Sequence, residues 1–106
     1  MIIDLRTYTV KPGRVHEFVA LYKELAWPLQ QKYLGRCIGW YTGLEGTLNQ
    51  VVHVWAYESQ ADREARRLAM YKDPAWTEYM RRTGQSELLL HTENRLLSPT
   101  DFSPVR

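Results

Sequence analysis

From Ile2 to Val10 the side chains alternate. Ile3, Leu5, Thr7 and Thr9 point one way, and Asp4, Arg6, Tyr8 and Val10 the other, which with the β-branched content predicts a strand. Lys11-Pro12-Gly13 reads as a turn. Beyond it Val15, Phe18, Val19, Tyr22, Leu25 and Leu29 recur at helical spacing, predicting a long amphipathic helix that Pro28 bends and Leu34-Gly35 closes. Cys37 to Leu44 reads as a second strand, joined through Glu45-Gly46-Thr47 to a third. That third strand is apolar on both sides except at His53. Val51, His53, Trp55 and Tyr57 face one way and Val52, Val54 and Ala56 the other, so it belongs in the middle of a sheet.

At Ser59 the period changes. Ser59 with Asp62 resembles a capping box, and the helix that follows carries Ala61, Ala65, Leu68 and Ala69 on one face. Asp73-Pro74 restarts it, with Asp73 as cap, Pro74 in the first helical position, and Trp76, Tyr79 and Met80 following. Thr83-Gly84 is the expected stop, Ser86 to Leu97 the final strand, and Ser98-Pro99 its end. The order β-α-β-β-α-β predicts an α+β, ferredoxin-like fold: a four-stranded antiparallel sheet with its helices on one face. The expected domain covers residues 1–98, with a tail at 99–106. The other sheet face, taken to carry Tyr8, His53, Trp55 and Tyr57, would be bare. An aromatic face of that size calls for cover, and a homodimer through the sheet faces, closing into an α/β barrel, supplies it.

Composition adds boundaries more than function. Fourteen basic and twelve acidic residues give a net charge of +2, and they interleave, as in Asp62-Arg63-Glu64. No nucleic-acid or acidic-lipid footprint emerges. No apolar run reaches the roughly 20 residues that cross a bilayer, and the N-terminus enters a strand pattern directly, so the expected location is cytoplasmic. The single Cys37 excludes an internal disulfide and fits a reducing compartment. Four Trp and seven Tyr in so short a chain speak for a pocket wall or an interface.

Three stretches carry a family resemblance: Asp4-Leu5-Arg6-Thr7-Tyr8-Thr9-Val10-Lys11-Pro12-Gly13; Asn49 to Ser59 continuing through Asp62-Arg63 and Asp73-Pro74-Ala75-Trp76; and Asn94, Leu97, Pro99 and Phe102-Ser103-Pro104. Together they resemble the NIPSNAP family of the dimeric α/β-barrel superfamily. The resemblance implies the same fold and dimer. Relatives in the wider superfamily include haem-degrading and cofactor-free monooxygenases, isomerases, and proteins with no known reaction. The mitochondrial and vesicle-transport roles of animal members are not carried over to a single short domain without a presequence.

His53 is the candidate for acid, base or ligand chemistry, against a plain role in core packing. Arg6, beside Asp4, suits an anionic ligand or a structural ion pair. Arg63 ties its helix either to a strand carboxylate or to a pocket ligand, and pairs of Asp62 with Arg66 and Glu64 with Arg67 are geometrically sensible. Tyr8, Trp55 and Trp76 complete the ligand-binding candidates, with Trp76, Tyr79, Met80, Trp40 and Tyr41 as either lid or core. His16, His53 and His91 are too scattered for a metal site, and no cofactor motif is present. The leading expectation is a small-molecule-binding homodimer with an aromatic cavity between sheet and helices. The alternatives are a small cofactor-free or haem-dependent monooxygenase or isomerase using His53, and an interaction module without a ligand.

Overall fold

The structure, a computed structural model, describes all 106 residues. Strand β1 (Ile2–Val10) is followed by helices α1 (Val15–Leu25) and α2 (Trp27–Tyr33), then β2 (Arg36–Thr42) and β3 (Gln50–Tyr57). Helices α3 (Gln60–Tyr71) and α4 (Pro74–Ser86) lead to β4 (Leu89–Leu97). The sheet is antiparallel throughout, in the order β2-β3-β1-β4, as the ferredoxin-like reading requires. No helix is long and apolar enough to cross a membrane.

Local chemistry accounts for most boundaries. The predicted long helix divides at Ala26, which ends α1 and begins α2, with Pro28 in the first turn of α2, where its missing amide costs nothing. Ser59 accepts a hydrogen bond from the Asp62 amide at 3.0 Å, and Asp73 accepts one from Ala75 at 2.9 Å, so both caps form. Gly84 does not stop α4. The helix runs two residues further and ends where Glu87 takes a left-handed conformation (φ 56°), which shortens the last strand to begin at Leu89. At the other end of the sheet Asn49 is also left-handed (φ 62°), and its side chain accepts the Gly13 amide at 3.1 Å, fastening the β1–α1 turn to the start of β3.

One sequence expectation reverses here. The face bearing Tyr8, His53, Trp55 and Tyr57 is the one the helices cover. Tyr8, Val10 and Val51 pack with Phe18, Tyr22, Ala26, Tyr79 and Leu88, while Trp55 and Tyr57 pack with Leu29, Leu34 and Met70. The open face instead carries Ile3, Leu5, Thr7 and Thr9 beside Val52 and Val54, all partly exposed. Alternation sorts side chains into two sets but does not say which set lies under the helices. The large aromatics fill the wide gap between sheet and helices, and the β-branched residues form the flatter outer surface. Helix α3 turns its small-residue stripe outward: Ala61, Ala65, Leu68 and Ala69 are exposed, and Arg63, Arg67 and Met70 turn inward. Its inner side borders a polar recess and not a dry core.

Candidate functional site

Under the helices the centre of the sheet is a stack of rings. His53 is fully buried, lies against Trp40 (centroids 4.7 Å apart, planes 17° apart), and meets the edge of Tyr8 at 4.8 Å. The Trp55 indole donates a 2.8 Å hydrogen bond to Nδ1 of His53. The proton of the neutral imidazole therefore resides on Nε2, which has no partner. Burial, reinforced by the nearby positive charge of Arg6, pulls the imidazole down to about 3, so it is neutral at any physiological pH.

Next to it on β1, Asp4 is fully buried and gathers three donors from three parts of the chain. Arg6 reaches its carboxylate at 3.2 Å, Arg63 of α3 at 3.0 Å, and Asn94 of β4 at 3.0 Å. Burial alone would push the carboxyl up. The hydrogen bond from Asn94 and the charges of Arg6 and Arg63 outweigh it, and Asp4 stays below the usual carboxylate range. For Arg6 burial works against the charged form, but the Tyr8 hydroxyl, 3.1 Å from Nε, and Asp4 more than compensate.

Above this hub lie two recesses. One, of about 490 Å³, is lined by Arg6, Arg63, Glu64, Arg67, Leu68, Tyr71 and Asn94. The other, of about 440 Å³, runs under α4 and includes Tyr8, Tyr22, Gln30, Trp76, Tyr79 and Thr83. Arg6, Arg67 and Tyr71 line both, so the recesses meet there. Arg67 has no carboxylate partner: it donates to the Tyr71 hydroxyl and lies 5.3 Å over that ring. Burial holds the hydroxyls of this region protonated, raising Tyr22 well above its ordinary value and Tyr79 to about 12. A third recess, about 320 Å³, opens at the β2 edge between Val19, Tyr22, Lys23, Trp27, Trp40 and Thr42, away from the arginines. The arrangement offers an apolar, hydroxyl-bearing chamber with a cationic end.

Of the sequence candidates, Arg6 and Tyr8 line the chamber with Trp76, and Arg63 lines its cationic end. His53 and Trp55 line none of these three recesses. Arg63 does tie its helix to a strand carboxylate, and Asp62 pairs with Arg66 at 2.9 Å, while Glu64 and Arg67 form no ion pair. Met80 is largely exposed. The sequence pattern does not single out Tyr71, Gln30, Thr83 or the recess-facing position of Arg67. One signal was present for two of them: Arg63, Arg67 and Tyr71 stand four apart along α3 and therefore share one face.

The fold and this chamber can be set beside known proteins. The NIPSNAP family model matches residues 3–104. The chain belongs to the NIPSNAP family. A NIPSNAP family protein of known structure from Agrobacterium tumefaciens is 37% identical, with a TM-score of 0.91 over 99% of this chain and 98% of that one. The Drosophila melanogaster protein NipSnap is 29% identical over 103 residues, 97% of this chain but 36% of its own length. The NIPSNAP chain thus spans about a fifth to a third of the length of the curated relatives it matches. A putative antibiotic biosynthesis monooxygenase from Nitrosomonas europaea shares the fold, with a TM-score of 0.66 at 11% identity over 93% of this chain and 98% of that one.

Proposed function

We propose that this NIPSNAP chain is a small-molecule-binding protein whose ligand occupies the chamber between the sheet and helices α3 and α4. The observation behind it is the pair of adjoining recesses, of about 440 and 490 Å³, that share Arg6, Arg67 and Tyr71. Their size is that of ordinary ligand sites, and their lining mixes apolar rings with a few directed polar groups. His53 serves this site from behind, as a neutral ring holding Tyr8 and Tyr22 in place, at 4.8 and 5.7 Å. Two copies pair through the open sheet face, where Ile3, Leu5, Val52 and Val54 leave an apolar surface without helical cover.

Native mass spectrometry of freshly purified protein, set against its denatured mass, tests both parts. The expected spectrum is a dimer carrying a non-protein mass that denaturation releases. A monomer would remove the sheet-face argument. A protein with no added mass, whose melting no compound in a metabolite library shifts, would remove the binding argument.

A further inference from the structure

The chamber has a charge imbalance that defines its ligand more closely, an inference that rests on the binding proposal above. Three guanidinium groups, those of Arg6, Arg63 and Arg67, line the cationic recess against the carboxylates of Asp4 and Glu64. One positive charge is left over. Asp4 is already occupied, since Arg6, Arg63 and Asn94 all bond to it. Glu64 is exposed and forms no ion pair within the chain, so it screens the site weakly. Arg67 is the guanidinium left without a carboxylate: it donates to the Tyr71 hydroxyl and stands at the seam of the two recesses.

We propose that the ligand is an organic monocarboxylate with a flat apolar body, its carboxylate received by Arg67 and its body lying in the recess formed by Tyr8, Tyr22, Trp76 and Tyr79. A single carboxylate neutralises the one unbalanced charge, and guanidinium receives it with two parallel hydrogen bonds. Inorganic phosphate would answer the guanidinium groups but leave the adjoining apolar rings without a partner. A neutral ligand would leave a cation facing a half-buried chamber with no counter-charge. The rings on the far side offer stacking and edge contacts to a planar body, and their protonated hydroxyls add no charge to oppose the acid.

Calorimetric titration of the ligand-stripped protein with benzoate, 2-naphthoate and decanoate, and with 2-naphthamide as the neutral counterpart, reads the charge and the body separately. 2-Naphthoate is expected to bind at least tenfold tighter than 2-naphthamide. In Arg67→Gln that ratio falls below threefold while the amide binds as before, and in Arg67→Lys part of the preference returns. Equal binding of acid and amide would overturn the carboxylate assignment and leave the chamber standing as a neutral-ligand site. An acid preference that survives in Arg67→Gln would overturn the role of Arg67. If no probe binds at millimolar concentration, the carboxylate assignment fails, while the binding proposal stands or falls by the native mass spectrum described above.

Discussion

Acid should loosen this protein through His53 well before its carboxylates protonate. In the folded chain the imidazole is held near 3, against 6.5 when exposed, so the unfolded state takes up the proton first. Stability is therefore full above about pH 6.5, falls by about 1.4 kcal/mol per pH unit below it, and levels off once the pH passes under about 3. Between pH 7.5 and 4.5 the loss from this one ring comes to about 3 kcal/mol, a large part of what a domain of this size has. With a urea m-value of roughly 1.5 kcal/mol/M, the unfolding midpoint should drop by about 2 M over that interval. His53→Gln keeps an acceptor for the Trp55 indole but cannot be protonated. Its midpoint should start lower, because a ring stacked on Trp40 is lost, and should then be nearly flat over the same interval. A wild-type midpoint that moves by less than about 0.3 M, or an equal slope in His53→Gln, would refute the picture of a sealed neutral imidazole.

Asp4→Asn should cost about 3 kcal/mol in urea unfolding, since Arg6 and Arg63 lose a buried counter-charge while retaining slight access to water. The same variant should lack the acid limb expected of the wild type in a far-UV titration as pH falls from 3.8 through the lowered value of Asp4. Gly35→Ala would set its methyl 2.3 Å from the Ala56 carbonyl oxygen, and a thermal melt should report about 1–3 kcal/mol of destabilisation. Glu87→Gly, at the left-handed end of α4, should raise the melting temperature with a gain of about 1 kcal/mol, because only a weak, exposed contact to Lys11 is lost.

The order of elements, the antiparallel sheet and both caps were legible because each rests on local chemistry: alternation in β1 and β3, Ser59 with Asp62, Asp73 with Pro74. The pairing of Arg6 and of Arg63 with Asp4 was legible as an alternative, since a half-buried arginine needs a partner and few carboxylates were in reach. What could not be read was the side of the sheet on which the helices lie. Tyr8 and His53 stand in the same alternating set whichever side that is, and the choice depends on how the chain crosses over. The orientation of α3 was hidden for a related reason. Ala61, Ala65, Leu68 and Ala69 make the more apolar stripe, and only a cavity beneath the helix makes Arg63 and Arg67 the inward residues. Gln30 and Thr83 gave no sequence signal, because one buried amide and one buried hydroxyl look like any others.

The position of β1 has a bearing on how the chain assembles. This strand comes first in the sequence yet sits inside the sheet, paired with β3 on one edge and with β4 on the other. Its carboxylate at Asp4 waits for an arginine 59 residues later and an amide 90 residues later. A growing chain therefore carries an unpaired strand edge, and an acid without its full set of donors, until β4 has been made. Contacts of such long sequence separation slow the search for the native state. An intermediate that stalls before Leu89 would present β1 as an open template for another chain. Late synthesis of β4 makes the closing strand the step at which this fold is committed, and substitutions within it should show up more in refolding yield than in the stability of the finished protein.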